Sequence, residues 1–271
     1  MKEFVMNKTS PIVETTKGKL RGFRYDGVDH FYGIRYAKAK RFQMPEPVAP
    51  GRGKGRGQLW MICPVLSEPM PTGEVMIPHR FWPSSEHCQY LNLWTKSCEP
   101  SAKRPVLFWI HGGGYASGSG MEQICYDGFN LAKDDDVVVV TVNHRLNAFG
   151  YLDMSDFGEK YWNSVNVGMA DLVEALRWVK ENIACFGGDP ENVTIFGQSG
   201  GGAKVTVLGQ IPEAEDLFQK MIVMSGVIPA GDFDSTCSPK ELVLEILQAL
   251  QIDEKGAEKL EKVPVPQFIW R

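Results

Sequence analysis

The fold is decided by the stretch Val193-Thr-Ile-Phe-Gly197-Gln198-Ser199-Gly200-Gly201-Gly202-Ala203, in which an apolar run leads into glycines that surround a serine. We predict a strand, a sharp Gly-x-Ser-x-Gly turn and then a helix. Such a turn forces the serine into strained backbone angles, and the flanking glycines let the chain pack closely around it. The Ser199 hydroxyl is then exposed at the positive N-terminal end of a helix, as a nucleophile requires. The alternative interpretation is a glycine-rich structural turn, because the bare motif also occurs by chance.

A second glycine motif follows another apolar run, in Phe108-Trp-Ile-His111-Gly112-Gly113-Gly114-Tyr115. Consecutive glycines expose successive backbone N–H groups, which is what stabilising a tetrahedral oxyanion requires. In esterases such a loop works together with the N–H of the residue after the nucleophile, here Gly200. The alternatives are a flexible glycine loop and a phosphate cradle, but a phosphate loop would carry Lys-Ser/Thr after its glycines, and none is present.

The rest of the chain alternates strand and helix patterns. Strands are predicted at Ile12–Glu14, Lys19–Arg24, His30–Tyr32, Val106–Ile110, Val137–Val142, Asn192–Phe196 and Met221–Met224. Helices are predicted over 169–183, where Gly187-Gly188 ends the helix, and at Ala203–Leu208 and Lys240–Leu250. Such alternation predicts an α/β fold with a mixed, mostly parallel sheet covered by helices on both faces, and the leading strands would form an antiparallel edge.

With these motifs in place, the chain resembles the type-B carboxylesterase family, which includes bacterial p-nitrobenzyl-type esterases and animal cholinesterases. The resemblance is carried by Gly18–Gly22, Phe31–Ala37, Ser85–Asn92, Asn143–Gly150 and Phe186–Ser199. Ser85-Glu-His-Cys-Gln-Tyr-Leu-Asn92 is similar to the family's Ser-Glu-Asp-Cys-Leu-Tyr-Leu-Asn signature. His87 and Gln89 depart from that signature, and residues 51–62 match the family poorly. Hormone-sensitive-lipase-like esterases share His-Gly-Gly-Gly but lack the Ser85–Asn92 signature.

The resemblance implies an α/β-hydrolase fold and a carboxylic ester hydrolase that acts through an acyl-enzyme on a small-molecule ester. Carried over residue by residue, Ser199 is the nucleophile and the N–H groups of Gly113, Gly114 and Gly200 form the oxyanion hole. Ser225 falls where the family often has a serine close to the catalytic residues. The family needs no metal and no organic cofactor. A non-catalytic relative, of the kind that serves as an adhesion module, is the competing hypothesis.

The base that would activate the serine is missing from its usual place. In α/β-hydrolases the chain order is serine, then acid, then histidine, yet every histidine here precedes Ser199: His30, His79, His87, His111 and His144. We expect none of them to serve as the base. Family members run to about twice this length, so we interpret residues 1–271 as the N-terminal portion of one α/β-hydrolase domain, C-terminally truncated, whose activity alone is open.

Composition and charge narrow the partners. The net charge of −4 gives no electrostatic reason to expect nucleic acid or an anionic membrane, and the basic cluster at 51–57 is interpreted as a solvated loop. No signal sequence or membrane span is seen in the sequence, which favours a cytoplasmic protein with reduced thiols. The resemblance places Cys63 and Cys88 at the positions of a disulfide found in many secreted relatives, and both states remain open. Oligomeric state is not indicated.

Overall fold

The structure is a computed structural model that describes residues 10–50, 85–227, 237–265 and 268. Its strands are β1 (Ile12–Thr15), β2 (Gly18–Arg21), β3 (Phe23–Tyr25), β4 (Val28–Arg35), β5 (Ala37–Lys38), β6 (Glu46–Pro47), β7 (Tyr90–Thr95), β8 (Arg104–Ile110), β9 (Val138–Val142), β10 (Gly188–Gln198) and β11 (Lys220–Met224). Its α-helices are α1 (Phe129–Asp134), α2 (Asn147–Tyr151), α3 (Val167–Asn182), α4 (Gly200–Leu208) and α5 (Pro239–Ala249). Short 3₁₀ helices lie at Pro100–Ala102, Ile124–Tyr126, Ser155–Phe157, Glu159–Tyr161, Ser164–Asn166, Ile183–Phe186, Pro212–Ala214 and Glu254–Lys262.

Seven of these strands form one mixed sheet, in the order β11-β10-β8-β9-β7-β4-β3. The first four strands in that order are parallel to one another, whereas β7, β4 and β3 are antiparallel to their neighbours. Parallel strands need crossover connections, and the helical segments between β8, β9, β10 and β11 provide them. The predicted mostly parallel sheet with an antiparallel N-terminal edge is confirmed.

The sheet is covered on both faces, which explains the near-continuous β-branched run of β9. Val138, Val140 and Val142 face the largest core cluster, to which α3 and α4 also contribute. Val139 faces the other way, into a smaller cluster that includes Ala132 of α1. Every residue of β9 is therefore buried, as expected for a central strand between two helical layers.

Helix α3 is the longest helix of the described residues, and it ends where the sequence predicts. Its apolar positions include Leu172, Leu176 and Val179, all fully buried against the sheet. A 3₁₀ turn continues from Ile183, and Gly187 then adopts φ 77°. That left-handed conformation suits glycine and closes the helix.

Two local predictions needed revision. The predicted strand Lys19–Arg24 is broken at Gly22, because β2 pairs with β1 in a separate hairpin while β3 joins the large sheet. A side chain at Gly22 would lie within 3 Å of the Phe31 ring, so only glycine lets the chain cross there. The stretch Tyr90–Thr95, whose first three residues belong to the family signature, was not predicted as a strand, and it forms the interior strand β7.

Strand β11 forms one edge of the sheet as described. Met221 and Ile222 retain about half of their maximal exposure, at 50% and 49%. Apolar side chains on an exposed edge strand are usually covered by a further element. None of the helices in the described ranges is both long enough and apolar enough to cross a bilayer.

Candidate active site

Ser199 occupies the sharp turn between β10 and α4. Its backbone angles, φ 55° and ψ −124°, are unfavourable for a residue with a Cβ and are held only because the surroundings fix them. The Ser199 N–H donates to the carbonyl of Met224 at 2.8 Å, and the Ser199 carbonyl accepts from the N–H of Ala203 at 3.0 Å. The side chain is exposed. The strand, the strained serine and the helix are therefore arranged as the sequence predicts.

The glycine loop after β8 turns back on itself beside this serine. Gly113 and Gly114 have φ values of 89° and 65°, a region that disfavours side chains. The carbonyl of Gly113 accepts from the N–H of Ser117 at 3.0 Å, which closes the turn. A Cβ built on Gly112 would lie 3.6 Å from the Ser199 Cβ, so the loop passes directly alongside the serine.

Gly200 brings the two motifs into contact. A Cβ built on Gly200 would lie 2.5 Å from the backbone nitrogen of Gly114, closer than real atoms approach. Only glycine at position 200 permits this approach of helix and loop. The structure therefore places the three glycines of the predicted oxyanion hole around the start of α4, and their function in binding an oxyanion stays a prediction.

The segment that follows β9 supports the glycine loop from behind. The Asn143 side chain accepts from the N–H of Gly120 at 2.7 Å. Further along, the Asn147 N–H donates to the Tyr115 carbonyl at 2.7 Å. These bonds attach Tyr115, directly after the glycines, and Gly120 to one short segment, 143–147, which belongs to the stretch that carries the family resemblance.

Arg145 anchors that segment in the core. Its guanidinium and the Asp171 carboxylate form two parallel bonds, Nη2 to Oδ1 at 2.7 Å and Nε to Oδ2 at 2.8 Å. The Arg145 N–H also donates to Asp171 Oδ2 at 3.0 Å. Burial opposes the charge of Arg145, but the Asp171 carboxylate outweighs it and the pKa of Arg145 is raised. Both side chains are buried, so this ion pair is an internal, bidentate one.

Lys204 is a second buried cation, and the sequence analysis did not single it out. It lies on α4 with no exposed surface. Its Nζ donates to the carbonyl of Gly114 at 2.6 Å and lies 5.1 Å from the centre of the Tyr115 ring. Burial lowers the pKa of Lys204 to about 7. One signal was available in the sequence, namely a lysine that is the only charged residue in the glycine-rich run of α4.

Two histidines fill the space behind the glycine loop. The rings of His111 and His144 are fully buried and stack with centroids 4.9 Å apart. Each Nδ1 lies at hydrogen-bonding distance from a backbone carbonyl, Gly112 at 2.8 Å and Arg145 at 3.0 Å. Burial lowers the pKa of His111 to about 3 and that of His144 well below its usual value. Both rings are therefore neutral at physiological pH.

The fold and the arrangement of the two glycine motifs agree with a match to a known protein family. The sequence profile described as the carboxylesterase family matches residues 9–259. The chain belongs to that family.

Two sequences and one solved structure are similar to this chain over most of its length. The chain is 40% identical to para-nitrobenzyl esterase of Bacillus subtilis (strain 168), over 96% of this chain and 52% of that protein. It is 37% identical to phenmedipham hydrolase of Pseudarthrobacter oxydans, over 86% of this chain and 47% of that one. A solved esterase from Clostridium hathewayi superposes with a TM-score of 0.92 at 49% identity, covering 99% of this chain and 54% of its own. The chain spans about half the length of these relatives.

None of the histidines that the structure describes is hydrogen-bonded to the Ser199 hydroxyl. Within the described ranges, no histidine or carboxylate lies within hydrogen-bonding distance of the Ser199 hydroxyl. His30 packs among aromatic rings, with Phe23 stacked at 4.7 Å, and burial lowers its pKa to about 4. His87 is exposed in the turn before β7, and His79 lies outside the described residues. The expectation that no upstream histidine serves as the base stays a prediction.

The remaining residues singled out in the sequence are Ser225, Gln89 and the two cysteines of the possible disulfide. Ser225 follows β11 directly, is exposed and adopts φ 53°, but its predicted position close to the catalytic residues is not tested. Gln89 of the signature is buried, and its Nε2 lies 3.4 Å from Asp171 Oδ2, so this departure from the family pattern adds a polar contact. Cys88 is buried, whereas Cys63 and the segment 51–62 lie outside the described residues.

Proposed function

We propose that the protein is a carboxylic ester hydrolase in which Ser199 forms an acyl-enzyme. The observation that carries the proposal is the strained turn at Ser199 with the Gly113–Gly114 turn packed against it through Gly200. A backbone strain of this kind persists only where surrounding structure enforces it. Membership of the carboxylesterase family supports the same reaction.

In the proposed mechanism, the Ser199 Oγ attacks the ester carbonyl carbon and the carbonyl oxygen becomes an oxyanion. The N–H groups of Gly113, Gly114 and Gly200 donate to that oxyanion, and the positive end of α4 adds to the stabilisation. The alcohol leaves with a proton, and water then attacks the acyl-enzyme to release the acid and restore the serine. Each lost oxyanion donor typically lowers the rate by ~10²–10³.

A base must take the serine proton, and an acid must orient that base. The relatives are about twice as long as this chain. We propose that the corresponding additional sequence supplies the histidine and the carboxylate, and that residues 1–271 form the N-terminal portion of one α/β-hydrolase domain. Ser225 is proposed to lie close to that histidine.

The proposed substrates are small or aryl esters. The relatives' names point that way, since one is a para-nitrobenzyl esterase and the Clostridium hathewayi enzyme can hydrolyse aliphatic aromatic polyesters. The net charge of −4 adds no reason to expect nucleic acid as a partner.

Labelling with a fluorophosphonate tests the proposal, because this probe reacts only with an activated serine. We expect label on Ser199 in the protein at its natural length, none in Ser199→Ala, and unchanged labelling in Ser101→Ala, a surface control. Residues 1–271 alone should label weakly or not at all. Undiminished labelling of Ser199→Ala would overturn the assignment, and no labelling at natural length would favour a non-catalytic relative.

A further inference from the structure

Lys204 has no acidic partner in the part of the chain that the structure describes. It is the only charged residue of α4 and has no exposed surface. A buried ammonium group without a carboxylate is unfavourable, because it has lost the water that would solvate it. A lysine is therefore an expensive choice at this position if the position only has to fill space.

The hydrogen bond of Lys204 explains what the charge does there. Its Nζ donates to the Gly114 carbonyl at 2.6 Å, and Gly114 is one of the predicted oxyanion donors. The same residue packs against Gly200 at the start of α4. Lys204 thus connects the helix that begins after the nucleophile with the loop whose N–H groups must face the same reacting atom.

The other ionisable groups around Lys204 do not replace its charge. From the glycine loop, His111 and Tyr115 face it, and burial raises the pKa of Tyr115 and lowers that of His111. From the segment after β9, His144 faces it and is neutral, while Arg145 beyond is paired with Asp171. The Lys204 charge itself disfavours protonation of both histidines. At neutral pH, the proton on Lys204 is therefore the one that titrates among these groups.

We propose that Lys204 is a positioning residue of the esterase reaction: its ammonium group holds the Gly114 carbonyl and so keeps the loop N–H groups aimed at the oxyanion. The protonated form is the active one, and loss of the proton weakens the grip on the loop. Burial supports a transition in the accessible range, since it brings the pKa of Lys204 to about 7. The inference rests on the proposed function.

The alternative is that the neutral amine of Lys204 is the base that activates Ser199. No hydrogen bond joins the Lys204 amine to the Ser199 hydroxyl in the described structure, and the amine is directed at Gly114 instead. The two hypotheses have opposite pH dependence. A base works when it is unprotonated, so activity would rise through its pKa, whereas a positioning ammonium makes activity fall through the same pKa.

The test compares Lys204→Met and Lys204→Arg at natural length, with Lys240→Met in α5 as an exposed control. Methionine keeps the length of the side chain without the donor, and arginine keeps charge and donor at all accessible pH values. For p-nitrophenyl acetate, we expect Lys204→Met to lower kcat by about 10–100-fold with KM changed little, because the lost interaction acts in the transition state. The alkaline decline of the wild-type pH profile should disappear in both Lys204 variants, and Lys204→Arg should recover most of the activity.

Hydrogen exchange of the peptide 111–118, normalised to α3, measures the positioning without any turnover. We expect faster exchange of this loop in Lys204→Met than in the wild type, and no change in Lys240→Met. Unchanged kcat, pH profile and loop exchange in Lys204→Met would overturn the inference while leaving the esterase proposal intact. A Lys204→Arg variant that is inactive although its loop exchanges slowly would overturn it in favour of the base. If wild-type Ser199 does not react with fluorophosphonate, the esterase proposal fails, and unaltered loop exchange in Lys204→Met would then reject the positioning as well.

Discussion

Two buried cations, Arg145 and Lys204, stabilise the surroundings of the same glycine loop, and their own partners differ. Arg145, in the segment behind the loop, has the Asp171 carboxylate within 2.7 Å. Lys204, on the helix in front of it, has a backbone carbonyl and an aromatic ring. Both side chains have lost their water, but among the residues that the structure describes only Arg145 has gained an opposite charge.

The pKa values of the two groups reflect this difference. The carboxylate more than offsets burial at Arg145, whose pKa is raised, whereas burial alone acts on Lys204 and lowers its pKa to about 7. Arg145 is thus stable as a permanent structural anchor. The burial that lowers the pKa of Lys204 makes its charged form unfavourable, and a perturbed pKa beside a proposed reacting group points to function.

Removing the partner of Arg145 is the most drastic way to probe this difference. Asp171→Asn keeps the shape of the side chain but leaves the guanidinium buried without its counter-charge. We expect the free energy of unfolding to fall by about 3–5 kcal/mol, measured by urea denaturation at pH 7. Asp26→Asn, which disrupts the exposed Lys133–Asp26 pair, is the control and should change stability little. Equal losses of stability in the two variants would show that burial does not determine how much an ion pair contributes to the stability of this protein.

Removing the charge of Lys204 should raise the free energy of unfolding, whereas removing the partner of Arg145 lowers it. The lowering of its pKa from 10.5 to about 7 corresponds to ~5 kcal/mol that the protonated form loses on burial. Methionine forgoes the hydrogen bond to Gly114, which opposes the gain by about 1.5–3 kcal/mol. We therefore expect Lys204→Met to be more stable than the wild type by about 2–3 kcal/mol in urea denaturation at pH 7. A less stable variant would mean that Lys204 is a structural anchor like Arg145.

The pH dependence of stability separates the two cations further. Lys204 has a lower pKa in the folded than in the unfolded protein, so the unfolded chain binds more protons between about pH 7 and 10.5. Stability attributable to Lys204 therefore rises with pH through this window, by up to about 1.4 kcal/mol per pH unit. The measurement is the difference between wild type and Lys204→Met at pH 7 and pH 8, in which the other titrating groups cancel. The advantage of the variant should shrink by about 1 kcal/mol over that unit, and a constant difference would contradict the lowered pKa.

The sequence predicted the parts of this molecule that depend on backbone patterns. The alternation of strand and helix patterns predicted the mixed sheet. The spacing of the glycines predicted the turn at Ser199 and the loop at Gly113. These features could be predicted because they depend on residues that are neighbours in the chain. The break at Gly22 was missed, since it depends on the Phe31 ring across the sheet. Lys204 was missed for the same reason, because its burial and its contact with Gly114 arise from residues 90 positions apart.

The smallest effect is expected from a neutral anchor on the Arg145 side of the loop. The buried Tyr36 hydroxyl donates to the carbonyl of Asn143 at 2.7 Å, two residues before Arg145. Tyr36→Phe removes this bond without removing the ring, and we expect stability to fall by about 1 kcal/mol, measured in urea beside Asp171→Asn. Both variants act on the same buried segment. Comparing their losses of unfolding free energy therefore shows how much more the charged contact contributes than the neutral one. If Tyr36→Phe were as destabilising as Asp171→Asn, the segment would depend on tight packing and not on its ion pair, and the contrast between Arg145 and Lys204 would no longer rest on whether each charge is matched.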